Sequence, residues 1–240
     1  MESAIAFLQS KGEIADARRE LERRDLSCLT NPWIRRFRDR GLLPGVSVGH
    51  YLKSWDVLRT ATFIEATIPR VESILDLGAH ASEILCVLHR LGYSNLSGVD
   101  LDRRVRAMPY RGKIKYNVGD FLSVPAISSA FAAVTAISVI EHGFDSERLL
   151  ERVTNLLRPG GYFVASFDYW PHKIDTSQTQ MFGMDWKIFS ETELQSFLRA
   201  ARIAGLQSES ATPAPVVEPV IDWNGKQYTF AWIALRKRPQ

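Results

Sequence analysis

A chain of 240 residues with 45% apolar and 24% charged side chains, 15 Gly and 11 Pro has an ordinary globular profile. That profile excludes collagen-like, disordered and low-complexity classes. Thirty Lys and Arg against 27 Asp and Glu leave a formal charge of +3, too mild an excess to call for a nucleic acid or an anionic membrane. The two cysteines, Cys28 and Cys86, exclude a disulfide framework, and neither sits in a C-x-x-C pair. They read as reduced, buried thiols of a cytoplasmic protein. Lys11 and Glu13 interrupt the first apolar stretch below signal-peptide length. The longest uncharged run, 121–140, is broken by Pro125 and hydroxyl residues, so it reads as a loop and a buried strand, not a membrane span.

Residues 1–69 are expected to form an N-terminal helical cap. Ile14, Arg18 and Leu21 share a helix face, and Arg18 to Asp25 form a mixed-sign solvated surface. Asn31-Pro32 opens a short helix that Gly41 closes, and Leu52, Trp55, Leu58 and Phe63 keep helical spacing over about 50–66. Strands and helices then alternate through 70–240, the pattern of a parallel α/β sheet. The expected strands are 71–77, 95–101, 114–118, 133–139, 162–167, 206–210 and 228–235. Ser190-x-x-Glu193 is a capping box, and Asn224-Gly225 is a hairpin turn that makes the last strand antiparallel. The fold class is therefore α/β: a Rossmann-like, doubly wound, mostly parallel seven-stranded sheet with its last strand reversed, plus N-terminal helices.

In such a sheet ligands bind outside the carboxyl ends of the strands. Asp76-Leu77-Gly78-Ala79-His80-Ala81-Ser82 follows the first strand, and Gly78 permits a tight turn. Asp100 follows the second at the distance where an acidic residue can accept a ribose diol. Gly119-Asp120-Phe121 and Glu141-His142-Gly143 follow the third and fourth. The connection 169–187 is long for a compact domain, and its Tyr169, Trp170, Met181, Phe182, Met184 and Trp186 suit the wall of a substrate pocket. Candidate bases are His142 after the fourth strand and Asp168 or His172 after the fifth. No ordered ligand spacing links His142, Asp168, His172 and Asp175, so no metal is expected.

Ile74-Leu75-Asp76-Leu77-Gly78, Gly98-Val99-Asp100-Leu101, Gly119-Asp120-Phe121, Ser138-Val139-Ile140-Glu141-His142 and Leu156-Leu157-Arg158-Pro159-Gly160-Gly161 resemble, in order and spacing, the class I S-adenosylmethionine-dependent methyltransferases. The broad small-molecule branch (methyltransferase type 11-like) is the nearest match. The resemblance covers about 70–168, more loosely to 236, and not 1–69. It implies that 70–240 is a methyltransferase domain binding S-adenosylmethionine, with S-adenosylhomocysteine as product. Asp76 and the Gly78 loop would approach the methionine end, Asp100 the ribose, Leu101 and Phe121 the adenine faces, and Asp120 its amine. Ser138 would lie beside the cofactor. Glu141 and His142 would border the acceptor pocket, with Tyr169, Trp170 and Trp186 on its wall and Tyr51 from the N-terminal helices covering the same face.

Two departures from the family pattern stand out. His80 and Ser82 replace the usual second and third loop glycines, either bonding the cofactor's amino-acid end or only capping the helix. The path 102–113, with Arg103, Arg104 and Arg106, has room for a single helical turn. The expected activity is methyl transfer to oxygen or nitrogen of a small molecule, a sugar or secondary metabolite among the options, by a monomer or homodimer. The alternative is a methyltransferase-like protein that binds the cofactor without turnover, a reading helped by the altered loop and by Ala132, where the family often carries Asp. A nicotinamide oxidoreductase would need G-x-G-x-x-G, of which only the first glycine is present.

Overall fold

The computed structural model describes residues 4–123, 130–143, 145–181, 183–208 and 214–239. In chain order the first elements are β1 (Ile5–Phe7), α1 (Lys11–Arg23), α2 (Pro32–Asp39), α3 (Ser54–Thr67), β2 (Ser73–Leu77), α4 (Ile84–Arg90), β3 (Asn95–Asp100) and β4 (Lys115–Val118). Then come β5 (Phe131–Ile137), α5 (Ser146–Leu156), β6 (Leu157–Tyr169), β7 (Gln180–Met181), β8 (Met184–Asp185), α6 (Glu191–Ile203), β9 (Leu206–Gln207), β10 (Ile221–Trp223) and β11 (Lys226–Lys237). The chain divides into two compact units, residues 12–125 and residues 1–11 with 126–240. Among the described residues no helix is long and apolar enough to cross a membrane.

In the 12–125 unit, β2, β3 and β4 lie parallel in that order, with Leu75 opposite Ser97 and Val99 opposite Asn117. Helix α4 makes the crossover between β2 and β3, as a parallel pair requires. Its Ile84, Leu85, Val87 and Leu88 are buried, as are Ile74, Leu77, Leu96 and Val99 of the strands. Asn31 caps α2 by accepting from Trp33 N–H at 2.9 Å, the expected Asn-Pro start. The short path after β3 is a single 3-10 turn, Arg103–Ala107, as its length predicts. The Tyr93 hydroxyl donates to the carbonyl of Ile68 (2.8 Å), satisfying an orphan acceptor at the end of α3.

In the other unit β5 and β6 are parallel, β11 runs antiparallel to β6, and β9 and β10 pair antiparallel with β11. Asn224 and Gly225 take φ of 50° and 69°, which gives the turn between β10 and β11 the hand that matches strand twist. The Ser190–Glu193 capping box opens α6 as expected. Lys237 Nζ donates to the carbonyls of Thr154 and Leu157, both at 2.8 Å, placing a cation at the negative end of α5. The α/β, Rossmann-like, mostly parallel architecture with a reversed final strand is thus the one observed.

Three local expectations change. The first described residues are not helical: β1 pairs antiparallel with β11, Ile5 opposite Ile233, and extends its edge. The 169–187 connection carries a small hairpin, β7 with β8, and its Phe182 lies outside the described residues. Strand β9 ends at Gln207, one residue before Ser208, and Glu209 and Ser210 of the expected 206–210 strand lie outside the described residues. Arg18 is not solvated. It is 4% exposed and makes a bidentate pair with Glu83 (3.0 and 2.8 Å), with further bonds to Ser54 Oγ (2.9 Å) and Ser27 Oγ (2.8 Å). A guanidinium has enough fixed donors to be buried when a carboxylate and hydroxyls surround it, and helical periodicity places Arg18 on the apolar face with Ile14 and Leu21.

Candidate active site

In the 12–125 unit the chemistry-bearing residues cluster where β2, β3 and β4 end. Asp76 is fully buried in β2. Gly78 takes φ of 71°, and the N–H groups of Gly78 and Ala79 donate to the Val99 carbonyl at 2.9 and 3.1 Å, folding the loop against β3. That close approach is made possible by Gly98: a Cβ there would sit 2.6 Å from Ala79 Cβ and 2.9 Å from Leu85 Cδ1. Ala81, with φ of 60°, holds a left-handed conformation usually left to glycine.

The Asp100 carboxylate is oriented by two backbone donors. His80 N–H reaches one oxygen at 2.9 Å and Asp102 N–H the other at 2.7 Å. The His80 imidazole lies beside a second carboxylate, with Nδ1 3.6 Å from Asp102, and burial holds its pKa below the ordinary histidine value. Hydrogen bonding to Arg104 pushes Asp102 down to about 2. Leu101 is exposed at the strand end and Phe121 is buried. Asp120 accepts from Leu122 N–H and Ser123 Oγ, both at 2.9 Å, which shapes the turn after β4 and leaves lone pairs on each oxygen. Tyr51 lies half-exposed in a cleft of about 350 Å³ whose lining includes Leu29, Arg35, Arg36 and His50.

In the other unit Ser138 ends β5 with φ of 54°, its N–H bonded to the Ser166 carbonyl (2.9 Å), and its buried hydroxyl has no partner among the described residues. A non-glycine residue held this way stores strain of order 1 kcal/mol or more, a feature that clusters at ligand sites. Glu141 and His142 follow, both buried, with the Glu141 carbonyl accepting from Lys187 N–H at 2.9 Å. Asp168 is buried near the end of β6 and its carboxylate accepts from the Trp186 indole at 2.8 Å.

Tyr228 completes this group, and sequence reasoning missed it. It lies close to Asp168 and Glu141: burial first, then their charges, push the phenol well above its usual pKa, so Tyr228 keeps its proton. Trp186 meets Tyr228 and Trp223 edge-on, with ring centroids 5.8 and 5.2 Å apart. Only register could have revealed this partner: Phe230 opposes Asp168 across the β6–β11 ladder, two residues beyond Tyr228.

The remaining predicted residues are placed differently. Tyr169 is buried, stacked on Phe7 at 4.4 Å, and its hydroxyl donates to Glu191 at 2.5 Å, so it serves packing. Trp170 is half-buried, its N–H bonded to the Phe189 carbonyl. His172 is exposed.

The methyltransferase-domain family model matches residues 75–165, the stretch from β2 into β6. No curated protein sequence matches the chain. Among solved structures, the 1,6-didemethyltoxoflavin-N1-methyltransferase of Burkholderia thailandensis, with bound 1,6-didemethyltoxoflavin and S-adenosylhomocysteine, is 17% identical. The alignment covers 99% of this chain and 96% of that one at a TM-score of 0.57. The geranyl diphosphate C-methyltransferase of Streptomyces coelicolor is 18% identical, with 83% and 87% covered and a TM-score of 0.54. An S-adenosylmethionine-dependent methyltransferase of Mesorhizobium loti is also 18% identical, with 73% and 96% covered and a TM-score of 0.51. At such identities the likeness is one of fold: residues 75–165 match the methyltransferase-domain family model, and the solved S-adenosylmethionine-dependent methyltransferases share the chain's architecture.

Proposed function

We propose that this protein transfers the methyl group of S-adenosylmethionine to an oxygen or nitrogen of a small-molecule acceptor, a sugar or secondary-metabolite hydroxyl among them. The observation that carries the reading is the Asp100 carboxylate, held at the end of β3 by the N–H groups of His80 and Asp102. A nucleoside needs a fixed acceptor for its diol, apolar faces for its base and an acceptor at the base edge. Asp100, Leu101 with Phe121, and Asp120 are residues of those types within the 12–125 unit. By the resemblance, the buried Asp76 and the Gly78–Ser82 loop of the same unit are assigned to the methionine end.

Bound S-adenosylmethionine supplies a methyl already activated by its sulfonium. The protein has to hold the acceptor in line and take its proton. His142 and Asp168 are the bases we assign, being buried, whereas His172 faces solvent. Glu141, Trp186 and Tyr228 shape the acceptor side. The small-molecule acceptors named for the Burkholderia and Streptomyces enzymes support this substrate class.

Calorimetric titration with S-adenosylmethionine and S-adenosylhomocysteine, with NADH as control, tests the cofactor. Asp100→Ala should weaken binding about tenfold or more, the cost of losing hydrogen bonds to a charged group. Equal affinity in the variant, or no binding of either nucleoside, would overturn the reading. Single-turnover transfer to a panel of hydroxyl and amine acceptors then tests catalysis. Tight binding with no transfer to any acceptor would favour a cofactor-binding protein without turnover.

A further inference from the structure

The Gly78–Ser82 loop is fixed from two sides within the 12–125 unit. On the strand side, the Gly78 and Ala79 N–H groups bond the Val99 carbonyl and that of His80 bonds Asp100. On the other side, three groups from residues 12–54 reach the loop and Glu83, the residue that follows it. Gly49 N–H donates to the Ala81 carbonyl at 2.8 Å. Cys28 N–H donates to Glu83 Oε1 at 2.7 Å, and the buried Arg18 guanidinium donates to both Glu83 oxygens, at 3.0 and 2.8 Å. Arg18 is bonded in turn to the hydroxyl of Ser54, the first residue of α3.

The fit on this second side is close. Gly49 takes φ of 71°, and a Cβ there would lie 2.7 Å from Glu83 Oε2 and 3.2 Å from Leu29 Cδ1. Arg35 donates to the Gly49 carbonyl, and to that of Val48 at 3.2 Å, so α2 holds the segment that carries Gly49. The loop needs such a clamp. His80 and Ser82 stand where the methyltransferase pattern has glycines, and Ala81 keeps φ of 60°. A non-glycine residue stays in that conformation only where its surroundings over-determine it. Arg18, Cys28 and Gly49 all precede residues 75–165, so the clamp comes from a part of the chain outside the matched methyltransferase domain.

We propose that Arg18, Glu83 and Gly49 are positioning residues for the cofactor. The ion pair and the Gly49–Ala81 bond hold the loop in the shape that meets S-adenosylmethionine. Cofactor binding and the seating of residues 18–54 on the loop therefore stabilise each other. The inference rests on the assignment of that loop to the methionine end of the cofactor. Coupling of this kind is reciprocal: the factor by which the clamp raises affinity is the factor by which bound cofactor tightens the clamp. None of the three residues has to touch the ligand, because they act through Ala81 and through the chain at Glu83.

Amide hydrogen exchange with saturating S-adenosylhomocysteine, its binding measured separately by calorimetry, tests the coupling on the unaltered protein. The Cys28 and Gly49 amides, the two backbone donors of the clamp, should slow about tenfold or more together with that of His80. The Arg35 amide, bonded within α2 to the Asn31 carbonyl, should slow less. Slowing at His80 alone, or equal slowing of all four, would overturn the proposal and leave the cofactor reading intact. Absence of binding in the calorimeter would overturn the cofactor reading and the coupling with it. Gly49→Ala gives a second test. Its Kd for S-adenosylhomocysteine, measured well below its melting temperature, should rise about tenfold, because the new Cβ forces Gly49 and Glu83 apart. A lower melting temperature with unchanged affinity would mark Gly49 as a packing residue and overturn its positioning role.

Discussion

The carboxylates that follow β3 and β4 and the one near the end of β6 are fixed by different means. Asp100, Asp102 and Asp120 are each oriented by a backbone N–H two residues ahead, at 2.7 to 2.9 Å, and Asp100 by that of His80 as well. Asp168 is instead held by a side chain, the Trp186 indole, that arrives from a later part of the chain. Backbone donors tolerate many side chains and make a site that survives sequence change. Side-chain donors make one that each protein can rebuild for its own acceptor. The first suits a ligand shared by a whole family, the second a ligand that differs among its members.

The sharpest way to break this contrast lies in the first region, where a buried side-chain clamp operates. Glu83→Ala would strand the Arg18 guanidinium in a site 4% exposed. Removing one partner of a buried pair costs about 3–5 kcal/mol, to be read as a fall in the denaturant midpoint. Gly98→Ala comes next. Its new Cβ meets Ala79 at 2.6 Å, so the loop must shift, costing about 1–3 kcal/mol and weakening S-adenosylmethionine affinity together.

Tyr228→Phe sharpens the contrast from the other side. It removes a buried hydroxyl beside the Asp168 charge without touching the residues around Asp100, so cofactor affinity should hold while turnover falls about tenfold. Parallel losses in both would show that the two regions do not act separately. The smallest effect is one of pH. His50 and His80 are both held below the ordinary histidine value, first by burial. The unfolded chain therefore takes up protons first, so stability is full above about pH 6.5 and declines as pH falls through the unfolded value towards the lower folded ones. Melting temperatures across about pH 7 to 5 should show that decline, and His80→Asn should blunt it.

What was legible in the sequence follows the same division. Asp100, Gly78 and the Asp120 turn were readable because short-range spacing after a strand determines where they lie. The 3-10 turn of Arg103–Ala107 was readable from the length of its connection alone. Arg18 was misread because charge was taken as a sign of solvent, although its helix face pointed inward and its partner Glu83 lies far along the chain. Tyr169 looked like a pocket wall because aromatic residues in a long loop suit one. Its actual neighbours, Phe7 and Glu191, come from β1 and from the start of α6. Tyr228 was missed for the same reason: only the β6–β11 register brings it to Asp168, and no local pattern encodes a register across some sixty residues.

The β1 strand has a consequence for how the protein is made. Ile5 pairs with Ile233, Leu8 N–H donates to the Phe230 carbonyl at 2.9 Å, and Thr229 Oγ1 donates to the Leu8 carbonyl at 2.6 Å. A chain leaving the ribosome amino end first must carry these opening residues without their partner until β11 emerges. Once β11 has emerged, its outer edge stays open until β1 docks, so this pairing closes a long loop, from Ile5 to Ile233, and is expected to be slow. Until it closes, that strand edge is available to another nascent copy as readily as to its own beginning.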